Sequence, residues 1–290
     1  MRLIAFTIVF VLILLMVFAG IFGRGICKGY FAGYIKAEPS YRQAENYLNN
    51  GEYINAYKEI DAYLKYCFAK DYVASTGVRE AFALPVLQRL VSSSPESREE
   101  LERTRLELES AIMDGNTNGF SFDLDFLSRR NPSRKPEVDD EIKMVMLFDY
   151  LCLLNKALDK NLQSIKVFEK LMDKNPEVAK KGWNKISPLL FKEKRYDVVS
   201  HFITDLDKSC RQIIATRSNA IKSNPILQKN PQKSFMIQDI RELLDYGIAT
   251  GQEDTVRAIL LELLKQEDVN PRSFNKYMPL LGNDTEEGEP

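Results

Sequence analysis

Two patterns of apolar and polar residues divide this chain. From Leu3 to Gly23 the residues are apolar or small and carry no charge, whereas beyond residue 37 apolar residues recur at three- and four-residue steps between charged ones. The second pattern is that of helices with one face turned inward. Strict alternation, the mark of a half-buried strand, is nearly absent, so an all-α fold is predicted. Helix starts are written into stretches such as Ser94-Pro95-Glu96, where a hydroxyl can cap, proline suits the first helical position and glutamate suits the positive end. The pairs Asn131-Pro132, Asn175-Pro176, Asn224-Pro225, Asn230-Pro231 and Asn270-Pro271 are expected to stop helices. Met144 to Leu154 is apolar nearly all round but is interrupted by Asp149, which predicts a helix buried inside a stack.

The run Leu3–Gly23 has 21 residues. At about 1.5 Å per residue it would measure roughly 31 Å as a helix, close to the ~30 Å hydrocarbon core of a bilayer. It is longer than the apolar core of a cleaved signal peptide, although Val17-Phe18-Ala19 offers a small-residue cleavage site. The expectation is a single-pass anchor at 1–24, a juxtamembrane segment at 25–38, and a protein localised to a membrane. Arg2 precedes the run while Arg24, Lys28 and Lys36 follow it, a weak charge bias toward a cytoplasmic C-terminal portion, with a periplasmic or extracellular one as the alternative. Cys27, Cys67, Cys152 and Cys210 have neither zinc-site nor disulfide-framework spacing. The net charge of −1 is unlike that of a dedicated nucleic-acid binder, and no nucleic acid is expected.

Four stretches of the helical region share an order of residues. Ala44, Tyr47, Gly51, Tyr53, Ala56, Ile60, Tyr63 and Leu64 form the first. Phe148, Leu151, Cys152 and Asn155, then Ser164, Phe168 and Leu171, form the second. The third is Trp183, Ile186, Ser187 and Leu190 on one helix, with Tyr196, Val199, Ile203 and Leu206 on the next; Pro188 should kink its first helix or mark a late start. The fourth is Leu244 to Gly251 followed by Val256, Leu260, Leu263 and Leu264. This order resembles the tetratricopeptide repeat, a helix-turn-helix of about 34 residues with small and aromatic residues at set positions. The resemblance implies a helix-turn-helix solenoid whose groove takes a protein or peptide partner. It divides the chain into N-terminal repeat-like helices at 39–127, a linker at 128–137, a helical array at 138–281 and a disordered acidic tail at 282–290. On helix position, Asn155, Lys185 and Lys192 are the residues expected to face the partner.

Candidate chemistry adds one alternative. Asp114, Asn116, Asn118 and Asp125, with Gly119 between them, resemble an EF-hand calcium loop, in which Phe120 would contribute its backbone carbonyl. That resemblance implies Ca2+ as the one candidate cofactor and, as an alternative function, a calcium-responsive secreted or membrane-attached binding module. No phosphate-binding loop, nucleophile elbow or His-Glu-x-x-His occurs. The single histidine, His201, has no cysteine or acid beside it and is expected to be a half-exposed helix residue, while the single tryptophan, Trp183, is expected to pack. Lys208, Arg211, Arg217, Lys222, Lys229 and Lys233 fall in a stretch without acid that could meet an anionic surface or acidic partner. The sequence therefore predicts a membrane-tethered scaffold that binds another protein and has no catalysis of its own.

Overall fold

The computed structural model describes residues 32–70, 76–118, 140–223, 236–266 and 269–282. Every regular element among them is helical, as the spacing of apolar residues predicts. The chain forms two compact units, 1–182 and 183–290, which divide within one helix.

The first unit contains α1 (Ala32–Asn49), α2 (Tyr53–Lys70), α3 (Thr76–Ser93), α4 (Pro95–Asp114), α5 (Asp140–Ala157), α6 (Asn161–Lys174) and the start of α7 (Pro176–Lys192). Its centre is α5, which packs against α3, α4 and α6. Residues 144–151 of α5 are all buried, as are Leu153, Leu154 and Asn155, so the apolar stretch is indeed a core helix. Each fully buried leucine or phenylalanine contributes about 1.5–3 kcal/mol relative to an exposed one. Two hydroxyls reach across this core: Tyr150 donates to Asp61 Oδ1 at 2.5 Å, and the Tyr57 hydroxyl lies 2.5 Å from Thr104 Oγ1. Burial pushes Tyr57 up to about 12, so it stays a neutral phenol. α1 packs on α2, and the small residues Ala44 and Ala56 of the pair are fully buried. Segment 128–137 lies outside the described residues, but α4 and α5 on either side of it pack together within this one unit.

The second unit holds the rest of α7, the short α8 (Tyr196–Val199), α9 (Leu206–Ser223), α10 (Met236–Ala249), α11 (Glu253–Leu264) and a 3-10 segment, Pro271–Leu281. α9 packs on α10 and α11, and the 3-10 segment packs on α11. Tyr277 anchors that segment by donating to Asp245 Oδ1 at 2.8 Å.

Four helix pairs are joined in the same way. Gly51, Asp159, Lys194 and Gly251 each have a positive φ, of 77°, 58°, 54° and 73°. In each case the next amide bonds back to a carbonyl five residues earlier, Glu52 to Tyr47, Lys160 to Asn155, Arg195 to Leu190 and Gln252 to Gly247, at 2.7–2.9 Å. The following helix then starts two residues after the left-handed one. This is a Schellman closure, which satisfies carbonyls left over at a helix end. These four turns belong to the four stretches that share residue order in the sequence.

Several expectations need correction. The Asn-Pro pair at 175–176 stops α6 at Lys174, as expected, and also opens α7, whereas the pair at 270–271 opens the 3-10 segment: Asn175 Oδ1 accepts from Val178 N at 3.2 Å and Asn270 Oδ1 from Arg272 N at 3.0 Å, each with proline at the first position. The other three pairs lie outside the described residues. Helix α7 continues through Pro188, and α3 through Pro85. The second helix of the third stretch does not run from Tyr196 to Leu206. It ends at Val199, and Asp205 starts a new helix by accepting from Lys208 N at 2.9 Å. The capped start at Ser94 is as expected, its hydroxyl accepting from Ser97 N at 3.1 Å.

The single-pass membrane localisation expected from the sequence is likewise corrected: among the described residues no helix is long and apolar enough to cross a membrane. Even α5, apolar over most of its length, carries Asp140, Glu141, Lys143, Asp149 and Lys156, too many charges for a hydrocarbon environment. The run Leu3–Gly23, the sequence basis of the anchor, and the tail after Gly282 lie outside the described residues.

Two predictions test this packing. A Cβ on Gly247 would lie 2.5 Å from both Leu206 Cδ2 and Val256 Cγ2, so α9, α10 and α11 meet at a site with no room for a methyl group. Gly247→Ala is expected to lower stability by about 1 kcal/mol in urea titration, because overpacking outweighs the gain in helix propensity; a gain of similar size would show that the contact is absent. Lys194→Gly is expected to raise stability by about 0.5–1 kcal/mol and Gly251→Ala to lower it by about 1 kcal/mol, since only glycine adopts the left-handed turn without steric cost. Opposite signs in thermal or urea unfolding would contradict the turn geometry.

Candidate binding cavity

The second unit contains a cavity of about 520 Å³, open to solvent, between α7, the 200–205 turn, α9 and α10. Helix periodicity puts Trp183, Ser187 and Phe191 on one face of α7, with Asn184 and Pro188 beside them, and all five line the cavity. The indole of Trp183 stacks on the ring of Phe202, with centroids 4.5 Å apart and planes inclined by 13°. Phe191 meets Trp183 edge-on at 6.5 Å. Trp183 therefore packs, as expected, and is also part of a cavity wall.

Phe202 and Ile203 reach the cavity because the chain leaves helical geometry after Val199 and re-enters it at Asp205. Pro188 has no N–H, so the Asn184 carbonyl lacks its ordinary donor four residues on, and both residues line the site. Helix α9 adds Ser209, Gln212, Ile213 and Thr216.

The α10 wall carries Asp239 and Glu242, three residues apart and hence on one helix face. Asp239 is solvent-accessible, yet the protein around it raises its carboxyl above the ordinary value. Glu242 is raised first by burial; the Gln238 amide, which donates to Glu242 Oε1 at 2.9 Å, opposes this, and Asp239 and Asp245 add repulsion. Among the described residues no lysine or arginine pairs with either carboxylate. Among the described residues no lysine, arginine, histidine or cysteine lines the cavity.

The sequence-predicted site residues are scattered. Asn155 is fully buried in the first unit, where its Nδ2 donates to Ser164 Oγ at 2.9 Å and its Oδ1 has no hydrogen-bond partner; it belongs to a core and not to an exposed groove. Lys185 is half-buried and Lys192 exposed on α7, and neither lines the cavity. His201 is exposed in the turn between α8 and α9, beside the cavity-lining Phe202, and is not on a helix. Cys210 is buried and its thiol is pushed up to about 12, which keeps it protonated and unreactive. Arg211, from the acid-free basic stretch, is tied to Asp207 and Glu262.

In the calcium-type loop, Asp114 ends α4 and accepts from Ser110 Oγ at 3.0 Å, Gly115 closes the helix with φ 67°, and Asn116 Oδ1 accepts from Asn118 N at 3.0 Å. The structure thus shows the first half of the loop as a helix cap. Phe120 and Asp125 lie outside the described residues. Among the described residues, no cluster of histidine, cysteine, aspartate or glutamate side chains is placed to hold a metal ion.

No protein-family model matches this chain, and no curated protein and no solved structure is similar to it. Its class is therefore argued from its own residues.

The raised carboxyl gives a signed expectation. Because the Glu242 carboxyl is raised in the folded state, the native protein holds its proton more tightly than the unfolded chain does, and stability falls as pH rises through and above the unfolded value of about 4.3. Glu242→Gln is expected to raise stability at pH 7 by roughly a few tenths of a kcal/mol after solvent screening, with the gain vanishing near pH 4. Urea titrations at the two pH values measure it, and a loss at pH 7 would show that the carboxylate is stabilised by a cation.

Proposed function

We propose that this protein is a helical-repeat interaction module of the tetratricopeptide-like kind. It acts as a scaffold that binds a peptide segment of a partner protein in the cavity of the second unit, and it has no catalysis of its own. The observation that carries this reading is the cavity. Its size falls within the roughly 300–1,000 Å³ of sites that enclose ligands, and it sets a stacked aromatic wall beside polar and charged side chains that can fix a ligand's orientation. Its walls come from neighbouring helices of the array, which is where repeat folds present binding surfaces. The four identical turns support the repeat class, since equivalent turns at equivalent positions are what a recurring helix pair requires. A cavity lined by serine and threonine hydroxyls with, among the described residues, no histidine, cysteine or lysine to activate them suits binding better than nucleophilic chemistry.

The test is selection of binders from a phage-displayed random peptide library against the full chain. Every selected peptide is then measured against Thr216→Tyr, which adds a ring at an exposed cavity-lining position without disturbing the core. Peptides that bind the natural chain and lose at least about tenfold in affinity against the variant, at unchanged thermal midpoint, are expected. Failure to select any peptide, or equal binding to both chains, would contradict the proposal.

A further inference from the structure

The chemistry of the cavity specifies what kind of peptide it accepts. Beside amides and hydroxyls, its polar groups include three that can only accept: two carboxylates on one face of α10 and the Asn184 carbonyl that Pro188 leaves without its ordinary donor. Among the described residues no side chain of positive charge lines the cavity, and the charged groups that do line it are both carboxylates. Its aromatic wall is a stacked indole and phenyl pair, and an indole face is the best aromatic partner for a cation. Carboxylates and an aromatic face in one cavity fit a planar, delocalised cation that can stack on a ring and also donate several hydrogen bonds. An ammonium group, compact and strongly hydrated, uses the first feature less well.

We infer that the cavity recognises the guanidinium of an arginine side chain carried by the partner peptide, with Asp239 and Glu242 as its acceptors and Trp183 as its stacking surface. This rests on the interaction reading above and names the chemical class of its ligand. The site places two carboxylates three residues apart on one helix face, Glu242 half-buried and Asp239 exposed, with no pairing lysine or arginine among the described residues, and an incoming cation relieves their mutual repulsion. Binding then gains from neutralisation as well as from contact.

The library selection provides the first readout: peptides that depend on the cavity are expected to share an arginine. For one such peptide, titrated into the full chain by calorimetry, replacing the arginine by citrulline is expected to weaken binding at least about tenfold, and by lysine about three- to tenfold. Asp239→Asn and Glu242→Gln are each expected to weaken the arginine peptide about three- to tenfold while affecting the citrulline peptide little, and the arginine peptide alone should lose affinity as salt rises. Cavity-dependent peptides without a basic residue, or equal affinity for arginine and citrulline forms, would overturn the inference and leave the interaction reading standing. Lysine peptides binding as tightly as arginine ones would overturn the guanidinium assignment. If no selected peptide depends on the cavity, both fail.

Discussion

A helix with one apolar face cannot hide that face by itself, and in this protein the means of hiding it is a single residue in the left-handed conformation. At Gly51, Asp159, Lys194 and Gly251 the chain closes a helix with an amide that bonds to a carbonyl five residues back, then starts the next helix two residues later. The turn is so short that the second helix has little choice but to return along the first. Glycine takes this conformation freely, while aspartate and lysine do so at a cost of about 1–2 kcal/mol, offset by the burial that the turn makes available. Ala44 and Ala56, and Phe148 against Phe168 with ring centroids 5.7 Å apart, are among what these helix pairs bury.

The cavity arises where that regularity fails. In the third pair the second helix stops after four residues, because Asp205 captures the Lys208 amide and begins a new helix in its place. The released turn delivers Phe202 to the face of Trp183, and Pro188 leaves a helix carbonyl unclaimed nearby. A regular pair would have filled this space with its own side chains. Local departures from consistency of this kind are where binding sites are commonly found. The same departure explains why the only tryptophan is neither wholly buried nor merely on the surface.

Much of the fold was legible in the sequence because period and caps are local. The buried stretch Met144–Leu154, the hydroxyl cap at Ser94 and the small residues Ala44 and Ala56 each express a constraint acting within a turn or two of helix. That Asn175-Pro176 opens α7 as well as stopping α6 was not legible, since only the hydrogen bond from Val178 N to the asparagine side chain marks the new start. Asn155 was misplaced because helix position does not distinguish a polar residue facing a groove from one satisfied within a core by Ser164. The apolar run that suggests a membrane anchor lies outside the described residues, and no described helix is long and apolar enough to cross a membrane. Asp239 and Glu242 carry no signal in the sequence because acids on a helix usually face water; what marks them is that among the described residues no lysine or arginine pairs with them, a property no linear pattern records. Aspartate at 205, following Ser200 and Thr204, was the one available hint that the helix breaks there.

The left-handed turns are the claim on which the rest stands, and backbone nuclear magnetic resonance on deuterated protein measures them directly. Scalar couplings and secondary chemical shifts report φ residue by residue. The structure requires positive φ at Asp159 and Lys194 as well as at Gly51 and Gly251. Helical, negative φ at Asp159 and Lys194 would mean that the chain runs on without reversing, and would remove both the paired helices and the cavity built upon them.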